Sequence, residues 1–188
     1  MKIGLIAEDY SDIGVLKELA AKKLRPHKVG FKRFIGKGCG KLRRKCRVWA
    51  QNLIRQGCSW VVLAHDLGDC EEKKMRRELE QDISVVSEKA RVVLIPVREI
   101  ESWLLHDPNA LVKAFKGRKK PKLPGLPESL SDPKKELEVI IRKNFDKEYL
   151  NTVHNVIIAK HIDLNRLHKA TSYLPYPFFL ETVKKQLP

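Results

Sequence analysis

The stretch Trp60-Val61-Val62-Leu63-Ala64-His65-Asp66-Leu67-Gly68-Asp69 decides the fold. Its opening run is apolar without alternation, the pattern of a short strand covered on both faces, and it ends at a carboxylate. Two other runs share this form: Ile3-Gly4-Leu5-Ile6-Ala7 stops at Glu8, and Val92-Val93-Leu94-Ile95-Pro96-Val97 precedes Glu99 and Glu101. A less buried strand with alternating polarity is expected over residues 28–35. Segments of helical periodicity separate the four, so a mainly parallel sheet with right-handed crossovers is predicted. In such sheets ligands bind beyond the carboxyl ends of the strands, where these acids would converge.

The helices expected between the strands are each carried by particular residues. Ser11 or Asp12 caps a first helix with Ile13, Leu16, Leu19, Ala20 and Leu24 inward, ended by Pro26. A basic helix over 42–56 turns Val48, Trp49, Ala50, Leu53 and Ile54 inward and stops at Gly57. A charged helix over 71–89 buries Met75, Leu79, Ile83 and Val86. Residues 98–106 read as helical, with Trp103 as a packing residue, and Asp107-Pro108 caps a short helix through Phe115. A proline- and lysine-rich loop covers 117–131, and helices follow from Asp132-Pro133 to about 143, over 151–170 and over 177–187. The expected organisation is an α/β core over 1–116 and a basic loop with a helical C-terminal extension over 117–188, packed on that core.

At 188 residues and 43% hydrophobic, the chain can bury one sizeable core. It offers no apolar stretch of membrane-spanning length, and its first residues enter a strand directly. A cytoplasmic protein with no membrane partner is expected. Cys39, Cys46, Cys58 and Cys70 lack paired zinc-site spacing and read as reduced structural thiols.

Charge points to the partner. Lys plus Arg exceed Asp plus Glu by 38 to 23, and residues 19–65 hold thirteen basic side chains and no acid. A second acid-free stretch, 108–127, carries Lys113, Lys116, Arg118, Lys119, Lys120 and Lys122. Solubility asks only for interspersed charges, whereas a phosphate backbone rewards clustered positive ones. Nucleic acid is therefore the expected partner, with Lys37, Lys41, Arg43, Arg44, Arg47, Lys119 and Lys120 as its contacts. The glycine-rich loop Gly36-Lys37-Gly38-Cys39-Gly40-Lys41 lacks the spacing of a nucleotide-binding P-loop and reads as a flexible basic loop.

The chemistry belongs to the acids. Glu8 sits at a strand end, while Asp12, four residues on, is accounted for by the dipole of the helix it opens. Asp66 ends the third strand, and Asp69, across Gly68, is either a second ligand or the cap of the next helix. His65 is a ligand, a phosphate contact or an ordinary hydrogen-bonding neighbour of these acids. Glu101, two residues beyond Glu99, is the better placed of that pair. Glu8, Asp66, Asp69 and Glu101 are thus the expected metal ligands, with Glu8, Asp66 and Glu101 catalytic, and an all-oxygen donor set suits Mg2+ or Mn2+.

These residues also carry a resemblance. Glu8-x-x-x-Asp12, the acidic turn after the third strand, and Glu99-Ile100-Glu101-Ser102-Trp103-Leu104-Leu105 followed by Asp107-Pro108 resemble the Toprim-like family of small bacterial and archaeal proteins of unknown function. That family is related to the Toprim nuclease domains of overcoming-lysogenization-defect type. The similarity extends to Pro127-Glu128, Asp132-Pro133-Lys134, Ala159-x-x-Ile162-Asp163 and Pro177-Phe178-Phe179. It implies a Toprim-like, Rossmann-like fold and magnesium-dependent chemistry on phosphodiester bonds, with Glu8 matching the first Toprim glutamate and Asp66 the first acid of the Asp-x-Asp pair. Gly68 stands where the second acid belongs, with Asp69 one position late, which leaves two-metal competence open.

Three functions compete. The first is a Mg2+-dependent Toprim-type nuclease of a defence or mobile-element system. The second is a non-catalytic nucleic-acid-binding or complex-forming module, with a protein partner, and the third is a small phosphotransfer or phosphate-ester hydrolysing enzyme. A soluble substrate does not account for the segregated basic charge, which ranks the third last. Neither oligomeric state nor a preference for DNA or RNA follows from the sequence.

Overall fold

The structure, a computed structural model, describes residues 1–187 except for the side chain of Cys39. Strands β1 (Lys2–Ala7), β2 (Gly30–Ile35), β3 (Trp60–Ala64) and β4 (Arg91–Leu94) form one sheet in the order β2-β1-β3-β4. All three pairings are parallel, with Ile3 opposite both Phe31 and Trp60, and Val62 opposite Val92. The chain steps outward from β1 to β2, then returns past β1 to β3 and β4. Right-handed crossovers on either side of that reversal place helix α1 (Tyr10–Lys23) on one face and helices α2 (Cys39–Arg55) and α3 (Glu72–Asp82) on the other.

Because both faces are covered, successive strand residues enter different cores. Ile3, Leu5, Ala7, Trp60, Val62, Ala64 and Leu94 pack with the apolar residues of α1. Ile6, Val61, Leu63, Val93 and Ile95 meet Leu42, Cys46, Ala50 and Leu53 of α2 and Met75 and Leu79 of α3. This double coverage explains why the runs are apolar at every position.

The C-terminal half supplies α4 (Glu101–Leu104), α5 (Pro108–Phe115), α6 (Pro133–Phe145), α7 (Asn151–His161), α8 (Leu164–Leu167) and α9 (Pro175–Lys184). Helix α7 lies along α1 and α5, while α9 covers β4 and touches α1. Their buried residues, among them Leu137, Ile141, Ile158, Tyr176 and Leu180, continue the core under α1 without a break. Trp103 is fully buried there, edge-on to Tyr173, with Nε1 donating to Ser172 Oγ at 2.8 Å. Helix α1 crosses α7 at close range: a Cβ on Gly14 would stand 2.3 Å from Val156 Cγ2, so only glycine admits this approach.

Several expected elements differ in extent. Helix α3 ends at Asp82, since Ile83-Ser84-Val85-Val86-Ser87 is poor in helix formers, although Ile83 and Val86 are buried as expected. Strand β4 ends at Leu94, just before Pro96, which has no N–H to pair. Only one turn of helix forms over 98–106, since Arg98 takes a left-handed conformation at φ 62° on one side and Asp107 is extended ahead of Pro108 on the other. In α2 the inward stripe is Leu42, Cys46, Ala50 and Leu53, with Trp49 partly buried, leaving Val48 and Ile54 48% and 41% exposed. The helix expected over 151–170 divides into α7 and α8, with Asp163 capping α8 through Asn165 N–H. Among the described residues no helix is long and apolar enough to cross a membrane.

Candidate metal centre at the strand-order reversal

The reversal lies between β1 and β3, and the acids at their ends are Glu8 and Asp66. After β1 the chain turns at Asp9, which is the N-cap of α1 in place of Ser11 or Asp12. The Asp9 carboxylate accepts from the N–H groups of Ser11 and Asp12, at 2.6 and 3.2 Å, while Asp12 Oδ2 accepts from Asp9 N–H at 3.1 Å. This reciprocal capping box holds Asp12 against the sheet edge with 6% of its surface exposed.

After β3 the loop over 65–69 runs beside the loop over 96–99. Leu67 N–H donates to Pro96 O at 2.9 Å and Gly68 N–H to Arg98 O at 3.2 Å. His65 is buried, with Nδ1 2.8 Å from Asp66 O and 3.2 Å from Glu8 Oε1. Both neighbours are acceptors, so Nδ1 carries the hydrogen, and a neutral ring then presents an Nε2 lone pair. That nitrogen is buried without a hydrogen-bond partner among the described residues.

Helix α4 begins at Glu101, which is 3% exposed. Its Oε1 accepts from Asn155 Nδ2 at 3.0 Å and lies 3.2 Å from the Tyr149 hydroxyl, both brought in by the C-terminal half. Asn155 Nδ2 also donates to Ser11 Oγ at 3.2 Å, and that hydroxyl stands 3.5 Å from Asp12 Oδ1.

Electrostatically, the acids act as one group. Burial raises Asp66 well above the carboxylate range, and the charges of Asp12, Glu8 and Glu101 raise it further. Asp12 is pushed up to about 8 by burial, then by Asp9 and, more weakly, by Glu101 and Glu8. Burial also raises Glu8, against the opposing pull of His65 and of the Asp66 N–H turned toward its carboxylate. Glu99, half-buried at the margin, rises to about 7 through burial and the charges of Glu101 and Asp132, partly offset by Lys134. Among the described residues no Lys or Arg forms an ion pair with Glu8, Asp12, Asp66 or Glu101.

Carboxylates held together without a cation have two ways to relieve their repulsion: they take up protons or they bind a cation. The donors are hard oxygens, which fit Mg2+ or Mn2+ and would suit soft metals poorly. Among the described residues no three His, Cys, Asp or Glu side chains are already drawn into a metal-ligand cluster, so the acids share a field rather than a formed coordination shell.

Of the expected ligands, Glu8, Asp66 and Glu101 meet at this edge and Asp69 does not. Its side chain is 93% exposed and pairs with Arg98, on the outside of the turn that Gly68 makes at φ 55°. Three participants were not anticipated as such. Asp12 read as a helix-dipole acid, although the Asp9-x-x-Asp12 spacing of a capping box was present. Tyr149 and Asn155 carried no sequence signal at all, since they lie more than forty residues beyond Glu101.

Of the basic residues, Lys37 borders this edge, on the turn after β2. Lys37 N–H donates to Glu8 O at 2.8 Å, so the glycine-rich loop abuts the acids, and Gly38 stands at the N-cap of α2, which has no side-chain cap and no acid in its first turn. Lys37, Lys41 and Arg44 are exposed. Arg43 instead pairs with Glu78 of α3, and Arg47 Nη2 donates to Gln81 O at 3.2 Å. Lys119 and Lys120 are exposed on the loop between α5 and α6. Cys46 and Cys58 are buried free thiols and Cys70 an exposed one, while the Cys39 side chain lies outside the described residues. Burial and the neighbouring Asp82 push the Cys46 thiol up to about 12, which leaves it inert at neutral pH.

Fold and site together define a doubly wound α/β protein with an acidic crevice at its strand-order reversal. The chain belongs to the family described as Domain of unknown function (DUF4276), which matches residues 8–174 and so takes in every acid of the crevice together with α7. Neither a curated protein nor a solved structure was found to match it.

Proposed function

We propose that this protein is a Toprim-type nuclease of the cytoplasm that cleaves phosphodiester bonds in nucleic acid with Mg2+ or Mn2+. The observation that supports it most is the meeting of Glu8, Asp12, Asp66 and Glu101 from three strand ends without a Lys or Arg counter-charge among the described residues. Glu8, Asp66 and Glu101 would hold the ion, and Asp12 adds to the negative field that attracts it. When bound, the ion supplies Lewis acidity toward the phosphate and lowers the pKa of a bound water. Lys37, on the loop that abuts Glu8, and Lys41, in the first turn of α2, seat the substrate's phosphate backbone, and Arg44 continues that contact along α2.

A second reading, a non-catalytic nucleic-acid-binding module, is favoured by one feature: Gly68 replaces an acid and Asp69 faces away toward Arg98. Labelled single- and double-stranded DNA and RNA, incubated with Mn2+ or Mg2+, separate the two. Cleavage that EDTA stops and Asp66→Asn abolishes establishes the nuclease. Gly68→Asp tests the missing acid directly, because a Cβ there meets nothing within 4 Å and the left-handed backbone costs an aspartate about 1 kcal/mol. Binding without cleavage by both wild type and Gly68→Asp would establish the module.

A further inference from the structure

We propose that Asn155, assisted by Tyr149, positions Glu101 for the cation, an inference that rests on reading Glu8, Asp66 and Glu101 as the residues that hold metal. Asn155 is fully buried, and its amide bridges two sides of the crevice, Glu101 Oε1 at 3.0 Å and Ser11 Oγ at 3.2 Å. The amide's orientation is determined by chemistry. An ionised carboxylate only accepts, so nitrogen faces Glu101, and Asn155 Oδ1 is left to accept from the Tyr149 hydroxyl. That hydroxyl also lies 3.2 Å from Glu101 Oε1, and Ser11 Oγ in turn reaches Asp12 Oδ1 at 3.5 Å. A single buried chain of polar groups therefore ties Glu101 of α4 to Asp12 of α1 through α7.

The kind of donor is the telling feature. A buried carboxylate held only for structure is most simply satisfied by Lys or Arg, which cancels its charge. Here a neutral carboxamide orients Glu101 and a neutral phenol holds that carboxamide in place, so neither brings a positive charge that would compete with a cation. The Asn155 hydrogen bond and the Tyr149 contact both fall on Oε1, and among the described residues Oε2 accepts none, which leaves one oxygen for the ion. Neutral donors that aim a ligand oxygen in this way typically govern metal affinity by ten- to a hundredfold.

The test is a calorimetric titration of the full chain with Mn2+, with folding of each variant checked by circular dichroism. Asn155→Leu is expected to weaken Mn2+ binding about tenfold or more, and Tyr149→Phe severalfold. Ile158→Val, a buried site on the same helix, serves as the control: it should lower the melting temperature and leave Mn2+ affinity unchanged. If Asn155→Leu fails to fold, Tyr149→Phe decides, since it keeps the ring and loses only the hydroxyl. Wild-type affinity in both variants, or an equal loss in Ile158→Val, would overturn the positioning role while leaving the metal site standing. A wild-type chain that binds no Mn2+ would overturn both.

Discussion

Asp12 concentrates the residue-scale chemistry of the crevice. Its carboxyl is pushed up to about 8, first by burial and then by Asp9, Glu101 and Glu8, whereas in the unfolded chain it ionises at its ordinary value of 3.8. Between those values the folded protein holds a proton that the unfolded chain has released. The stability contributed by protonated Asp12 is therefore complete below the unfolded value and is lost as the pH rises through about 8. Asp66, raised by the same neighbours, acts in the same direction. The metal-free melting temperature is expected to decline from about pH 4 to pH 8, and Asp12→Asn, which retains an oxygen to accept from Asp9 N–H, should flatten that decline. Saturating Mg2+ should flatten it too, by supplying the missing positive charge. Thermal unfolding across this range at constant ionic strength checks both, and parallel curves for wild type and Asp12→Asn would refute the assignment.

At the scale of elements, the site depends on how closely α7 approaches α1. Gly14 provides the closeness, and the residue that meets it, Val156, adjoins Asn155. Gly14→Ala forces a methyl group against Val156 Cγ2, an overpacking expected to cost about 1–3 kcal/mol. Val156→Ala removes the obstructing carbon, so the double variant should recover part of that loss, a coupling that urea denaturation of the four forms measures. Simple additivity would mean that the two helices do not meet as described. The turn after β3 supports a separate expectation: Asp69→Asn breaks an exposed pair with Arg98, worth at most about 1 kcal/mol, and should leave Mn2+ affinity unchanged.

For the whole molecule, a net charge of +15 makes association with a polyanion the expected default, and its salt dependence the most direct measurement. The thirteen basic residues of 19–65 are not equivalent once folded. Arg43 and Arg47 are engaged with α3 through Glu78 and Gln81, whereas Lys37, Lys41 and Arg44 remain exposed, Lys37 next to Glu8. Reversing Lys37, Lys41 and Arg44 to Glu should weaken DNA or RNA binding and reduce the slope of log affinity against log salt by about 1 for each phosphate no longer neutralised. Arg43→Glu sets two glutamates against each other and should lower stability as well. Equal salt slopes for wild type and the triple variant would place the nucleic-acid interface elsewhere.

The apolar runs ending at Glu8, Asp66 and Glu99 carried enough information for the parallel sheet, because strands covered on both faces tolerate almost no polar side chain. Asp107-Pro108 and Asp132-Pro133 likewise announced the starts of α5 and α6, since capping and a preset φ are local properties. The placing of Glu8, Asp66 and Glu101 at one edge followed from the same local logic, as strand ends in such sheets share a side. What lay beyond the sequence were relations between distant residues. Asp69 points out because Gly68 turns left-handed and Arg98, twenty-nine residues on, receives it; Arg43 loses its freedom to Glu78; Glu101 is oriented by Asn155 across fifty-four positions. Local chemistry by itself determined the strands, the starts of α5 and α6, and the acids at the strand ends. Only the packing of α7 on α1 and of α3 on α2 decided which charges face one another, because Coulomb and hydrogen-bond energies depend on separation in space, to which separation along the chain is no guide.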